Sequence, residues 1–391
     1  MNPGELKLEL LCRGIKISSI DTGRTRDILR TRGGLGSGIE IILPDDLWVN
    51  APVHEKFVRS TPYALKEENR KLFIYRENER IARAGLPARP AFYSQKTADG
   101  TDMTKIGVMQ GGYLAFYLGP LCGYWKKKLN CRFCSSGLNI NRTESERKTV
   151  EQVIEVCDAA FGEGIAEFVH INTGFIDDES RGIKTIEPFV KAIKENFDTL
   201  VGIQTNPPSA DSWIEHAYSA GVDSVSFNFE VFDRKKFREI CPGKASLVGR
   251  DRFFSAMERA ADIFPNGAVA GEIIAGLESV GSTIKAIDAI TAAGAVPIVC
   301  VFRPLEGTAL ENHPVPSPAE LASVFAHVYR KCRENKIRMN FVGHVPLVIM
   351  PAEGAYFSGG SGFSFSGWLS GTKFGSRMAR RYCERRRKKY F

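Results

Sequence analysis

Tyr113-Leu-Ala-Phe-Tyr-Leu-Gly-Pro-Leu-Cys122-Gly-Tyr-Trp-Lys-Lys-Lys-Leu-Asn-Cys131-Arg-Phe-Cys134 is the stretch on which the rest of the sequence turns. It opens with an apolar, aromatic run over Tyr113–Leu121, which has the length and character of a buried strand. It passes directly into a loop that carries three of the chain's nine cysteines. The other six, Cys12, Cys157, Cys241, Cys300, Cys332 and Cys383, are scattered. In a reducing compartment a tight group of thiols points to metal, whereas single thiols are usually small core residues. Cys157 and Cys332 fall in helical patterns and Cys300 in a strand pattern, so they read as core.

Downstream of this loop the chain alternates regularly. Strand patterns recur at Glu167–Thr173, Thr199–Thr205, Asp223–Phe229, Ala268–Ala275 and Val296–Phe302. Helical patterns lie between them at Thr149–Phe161, Ile186–Asn196, Ala210–Ala220, Arg250–Ile263, Thr283–Ala293 and Pro318–Asn335. The strands are short and rich in Val, Ile and Phe, as parallel strands buried on both faces are. Six β-then-α units with right-handed crossovers give an α/β fold, a partial (β/α)6 TIM-type barrel. In such barrels the chemistry sits in the loops after the strand C-termini, and Cys122 follows the first strand.

The remaining segments set the expected organisation. Residues 1–105 read as an N-terminal β-rich extension, 106–350 as the core barrel, and 351–391 as a Gly/Ser/Phe-rich closing segment with a basic tail. Within the extension, Gly38–Leu43 and Leu47–Val53 are short apolar runs, and Glu67–Ala84 reads as one charged helix. Arg32–Gly38 reads as a flexible glycine-rich turn; no helical pattern follows it, which argues against a phosphate-binding loop. The net charge of +8 is concentrated at the end of the chain, where Arg377, Arg380, Arg381, Arg385, Arg386, Arg387, Lys388 and Lys389 face Glu384 alone. That tail reads as a mobile, solvated arm, with contact to nucleic-acid phosphates as a second use. No secretory leader and no apolar run of about 20 residues is seen, so a cytoplasmic protein without a membrane span is expected.

Three thiolates in one loop suffice to hold three irons of a cubane and leave the fourth open. Zinc is the alternative. It favours four closed ligands, and no fourth Cys or His stands near this loop; His170, 36 residues past Cys134, is the next histidine. The Cys131-Arg-Phe-Cys134 element, with its aromatic at Phe133, resembles the cysteine motif of the radical S-adenosylmethionine (SAM) superfamily. The first gap departs from the usual pattern: eight residues separate Cys122 from Cys131. The resemblance runs over roughly 106–311 and is nearest in pattern to the biotin-synthase-like branch. A weaker resemblance, through the Arg-Gly-Gly turn near 32 and Ile240-Cys-Pro-Gly-Lys244, is to uncharacterised radical SAM proteins encoded beside nitrilases.

The resemblance implies a 4Fe–4S cluster on Cys122, Cys131 and Cys134, with SAM on the open iron. It implies SAM contacts from Thr173 and Gly174 after the second strand, Gln204 after the third, Asn228 and Glu230 on the fourth, and Ile274 and Gly276 on the fifth. Arg303, at the end of the sixth strand, would clamp a substrate carboxylate or phosphate. The implied activity is reductive cleavage of SAM to a 5′-deoxyadenosyl radical that abstracts hydrogen from a small metabolite, as an oxidoreductase, lyase or transferase. Reduced flavodoxin or ferredoxin would supply the electron. Two alternatives stand beside this: an RNA-modifying radical SAM enzyme that uses the basic tail, and a zinc-bound barrel with a binding or scaffold role.

Overall fold

The computed structural model describes residues 1–17, 37–119, 121–341, 347–360 and 373–390. Alternation of apolar side chains builds its central sheet. In β8 (Tyr113–Tyr117), β9 (Phe168–Asn172), β10 (Leu200–Thr205), β11 (Ser224–Glu230), β12 (Val269–Ala275) and β13 (Val296–Val301), one set of side chains packs under helices and the other lines a lumen. The six strands are parallel and consecutive, and β7 (Gly107–Gln110) adds antiparallel to β8 at the edge. The expected partial barrel is therefore present, with one extra strand. Its helices are α4 (Val150–Gly162), α5 (Ile183–Asn196), α6 (Ser212–Ser219), α9 (Arg250–Ile263), α10 (Val280–Ala292) and α11 (Pro318–Glu334). A capping box at Thr149 and Gln152 fixes the start of α4.

The extension is joined to the barrel by one continuous apolar core. Helix α1 (Pro3–Arg13) buries Leu6, Leu10 and Leu11. Its Lys7, fully buried, pairs with Glu353 at 2.7 Å and so ties the start of the chain to the turn at Pro351–Phe357. The expected runs form a hairpin, β2 (Ile39–Ile42) with β3 (Trp48–Ala51). The Glu67–Ala84 helix is not formed. That segment lies in β4 (Tyr63–Glu68), β5 (Lys71–Arg76) and β6 (Glu79–Ala84), an antiparallel meander that β1 (Lys16–Ile17) extends. Leu65, Leu72 and Ile74 alternate into the core, and Asn69 and Arg70, with φ of 49° and 61°, make the left-handed two-residue turn that suits a hairpin. The charges that suggested a helix flank that turn. Of the Arg32–Gly38 turn, all but Ser37 and Gly38 lies outside the described residues.

The basic tail is not a free arm. It forms α12 (Lys373–Tyr390), whose Cys383 is buried against Tyr113, Phe168 and Leu200, the first residues of β8, β9 and β10. The helix thus closes the N-terminal end of the lumen. Arg387 donates to the Tyr218 and Val222 carbonyls at 2.6 and 2.9 Å and to Asp223 at 2.9 Å, and Arg386 donates to the Asp262 and Ile263 carbonyls. The Tyr218, Asp262 and Ile263 carbonyls end α6 and α9, where helix dipoles favour cations. Arg387→Ala should therefore lower unfolding stability by about 2 kcal/mol, the scale of a lost charged hydrogen bond. Urea titration measures the loss, and trypsin should then cut within α12 at concentrations that leave the parent intact.

Candidate active site

The cysteine loop begins where β8 ends. The Leu118 N–H donates to the Asn172 carbonyl and carries the chain past the sheet. Cys122 precedes the one-turn helix α2 (Gly123–Lys126). The Gly123 N–H donates to the Phe175 carbonyl at 2.7 Å, and the Phe175 N–H donates back to Cys122 Sγ at 3.2 Å. The Tyr124 ring stacks on Phe175 at 4.3 Å, and its hydroxyl donates to Asn206 Oδ1 at 2.9 Å. Lys128 then turns the chain back with φ of 57°. The returning strand is held by α7 (Arg234–Ile240) and α8 (Pro242–Leu247): Arg132 donates to the Ile240 carbonyl, and Gly243 donates to the Leu129 carbonyl. The eight-residue gap is consumed by this turn and return.

The loop brings Cys122, Cys131 and Cys134 close enough to perturb one another's ionisation. Burial raises the thiol pKa of Cys122 and Cys134; for Cys131 the hydrogen bond with the Cys241 thiol is the largest cause and burial the next. As free groups these are protonated thiols; a bound metal takes the place of the protons. Among the described residues no three Cys, His, Asp or Glu side chains converge on one ion-sized point. A cubane asks each thiolate for a different iron, whereas zinc asks all of its ligands for one. Backbone N–H groups already point at sulfur: that of Phe175 at Cys122, and that of Ser136 at Cys134 at 3.4 Å. Beside Cys134, Ser135 Oγ and Asn139 Oδ1 are buried without a hydrogen-bond partner, a cost that a polar ligand would remove. The donor set fits a cluster with an adjoining polar cofactor.

Cys134 opens on a cavity of about 390 Å³ that fills the lumen. Of the anticipated residues, Gln204, Asn228, Glu230, Ile274 and Arg303 line it with Cys134. Thr173 and Gly174 do not. The Thr173 hydroxyl donates to Thr205 Oγ1, and Gly174 lies under the loop, where an added Cβ would sit 2.5 Å from Cys122 Cβ and 2.6 Å from the Tyr117 hydroxyl. Gly276, with φ of 103°, gives Pro316 its close approach. Arg303 differs most from expectation. Its guanidinium donates to Ser37 and Asn50, at 2.8 Å to the Ser37 carbonyl and 2.9 Å to the Asn50 carbonyl, which fastens the extension to β13.

Glu230 occupies a register shift at the end of β11 with φ of 74°, a left-handed conformation that is strained for a non-glycine residue. It pairs with Lys244 at 2.7 Å, both nearly buried, and Lys244 also donates to the Asn228 carbonyl. Burial opposes the Lys244 charge, but Glu230 and the nearby thiols outweigh it and leave its pKa raised. Two lining residues were missed from sequence, Glu272 and Cys300, which faces the lumen rather than the core, as was Lys244 behind the wall. Glu272 carried a legible signal, a lone acid inside an apolar strand on the face shared by Ala270 and Ile274.

Residues 128–289 match the Radical SAM superfamily model, a stretch that includes Cys131 and Cys134 and begins after Cys122. A bacteriochlorophyllide c C-7(1)-hydroxylase of Chlorobaculum limnaeum is 26% identical over 132 residues, 33% of each protein, so the match spans about a third of that relative. Among solved structures, methylornithine synthase is 20% identical, with TM-score 0.44 over 56% of this chain and 62% of that one. Streptococcus suis SuiB bound to S-adenosylmethionine is 16% identical, with TM-score 0.42 over 58% and 49%. With the thiol loop at the mouth of a parallel half-barrel, residues 128–289 are similar to the Radical SAM superfamily, whose members use a 4Fe–4S cluster and SAM.

Proposed function

We propose that Cys122, Cys131 and Cys134 hold the cluster and that the lumen beneath them receives a small metabolite. The observation that supports this is the placement of the thiol loop over a largely apolar cavity that carries a few polar side chains, Gln204, Asn228, Glu230 and Glu272 among them. When bound, the cluster and SAM supply reductive cleavage of the sulfonium and a 5′-deoxyadenosyl radical able to take hydrogen from an unactivated C–H bond. The chain's own residues place and shield that chemistry. The Phe175 and Ser136 N–H groups donate to ligand sulfurs, which stabilises the more negative, reduced state. Ser135 and Asn139 offer polar atoms to SAM, and Ile274 an apolar flank. Tyr124 stacked on Phe175 covers the loop from water.

Lys126, Lys127 and Lys128 are exposed on the same loop, a surface suited to a negatively charged electron donor such as reduced flavodoxin or ferredoxin. An RNA substrate held by the tail is less well supported. The exposed cations of α12, Arg377, Arg381, Arg385, Lys388 and Lys389, lie at the strand N-termini, the end opposite the cysteines. The test is anaerobic reconstitution with iron, sulfide, SAM and dithionite. We expect 5′-deoxyadenosine by chromatography and mass spectrometry; none above the protein-free blank would overturn the reading.

A further inference from the structure

The lumen contains one acid whose surroundings are built for a charge it does not meet. Glu272 stands in the middle of β12, in register with Asn228 and Ile298 on either side. Its oxygens accept from Gln204 Nε2 at 3.1 Å and Asn228 Nδ2 at 3.0 Å. Each of those amides is itself oriented: Asn172 Nδ2 donates to Gln204 Oε1, and the Ser226 hydroxyl donates to Asn228 Oδ1. The result is a chain of four polar side chains that turns two N–H donors onto one carboxylate. The Cys300 thiol is a third donor to this acid, so of the four acceptor sites of a carboxylate one remains for a ligand.

Its neighbours are paired and Glu272 is not. Of the other acids that line the cavity, Glu144 is neutralised by Lys148 and Glu230 by Lys244. Among the described residues no Lys, Arg or His forms an ion pair with Glu272. Arg303, on the same cavity, is occupied by Ser37 and Asn50. His170 faces the lumen, but burial pushes its pKa down to about 4, so it brings no charge at neutral pH. Burial, with Glu230 nearby, holds the Glu272 carboxyl up at about 8, so without a counter-ion it is mostly protonated at neutral pH and a cation entering the lumen would displace that proton.

We propose that Glu272 is the anchor for a positively charged nitrogen, so that the substrate class is a small amine or guanidine. The inference rests on the reading of the lumen as the substrate site. It places the cation below the cofactor: Glu272 precedes the end of β12 by three residues, about 10 Å of strand, whereas the thiols lie beyond the strand ends. Ala270, Ile274 and Ile298 beside it give apolar walls for a short hydrocarbon chain. Gln204 and Asn228 hold the carboxylate in place and thereby act as positioning residues.

The experiment compares n-pentylamine and n-pentylguanidine with 1-pentanol, titrated by calorimetry into anaerobically reconstituted protein. Wild type should bind both cations about tenfold or more tightly than the alcohol, as a charge-assisted contact requires. Glu272→Gln keeps the shape and removes the charge, and it should bring the three probes to parity. Parity in the wild type, which needs no variant to fold, overturns the proposal. So does a Glu272→Gln protein that keeps the preference. SAM titrated alone is the further arm: if its affinity falls in Glu272→Gln as steeply as that of the amine, the acid serves the cofactor and the proposal fails. Production of 5′-deoxyadenosine by wild type without any probe is read separately. Its absence would remove the radical-enzyme reading, whereas probe parity in a protein that makes it would remove the anchor alone.

Discussion

Alanine at Cys131 should cost the protein its iron as well as its turnover. On the proposed ligand set a cubane would take one thiolate per iron on three corners, so each ligand removed would leave an iron without its protein bond. Loss of a partner that merely orients a ligand weakens metal affinity by roughly 10–100-fold, and loss of the ligand itself should exceed that. Reconstituted Cys122→Ala, Cys131→Ala and Cys134→Ala should each hold well under the roughly four irons of an intact cubane, lose its broad visible absorbance, and form no 5′-deoxyadenosine. Cys241→Ala is the informative companion. Its thiol lies within hydrogen-bond reach of Cys131, and it is the other cysteine on this side of the loop. It should retain iron. If Cys241→Ala loses the cluster while Cys122→Ala keeps it, the ligand set is Cys131, Cys134 and Cys241, and the proposed role of the loop's first cysteine falls.

Lys244→Met should produce the largest loss of stability among single changes near the site. Lys244 and Glu230 have side-chain exposures of 8% and 7%, and they face each other at 2.7 Å. Removing the ammonium leaves a buried carboxylate without its cation, which costs about 3–5 kcal/mol. Replacing both, as Glu230→Gln with Lys244→Met, removes the uncompensated charge and should restore most of that loss. Urea midpoints for the two variants and the parent decide the matter. A single variant as stable as the parent would show that Glu230 finds water or another donor. The pair also stands behind Cys131, so iron loading of the double variant separates its part in holding the fold from its part in shaping the loop.

Much of this architecture was legible because burial on two faces leaves a plain mark. Val, Ile and Phe runs at Phe168–Asn172, Leu200–Thr205 and Val269–Ala275 admit few structures other than central strands, and glycines at 221 and 294 end the helices before them. The cysteine loop was legible for a chemical reason, since three thiols within thirteen residues have few other uses. What failed to show was decided at a distance. The Glu67–Ala84 segment has helical charge spacing, and only the alternation of Leu72 and Ile74 against a core supplied by α1 selects strands. Arg303 carries the right group at the right place for a substrate clamp, but Asn50 and Ser37, some 250 residues earlier in the chain, take its donors. The tail is rich in charge and reads as solvated; its docking depends on carbonyls that α6 and α9 leave exposed. Glu272 was visible as an oddity within a strand, but its lack of a cation belongs to the assembled lumen.

The position of α12 has a consequence for biogenesis. All six parallel strands leave the ribosome before the helix that stoppers the far end of their channel, so a nascent barrel is open at both ends until Cys383 seats against Tyr113, Phe168 and Leu200.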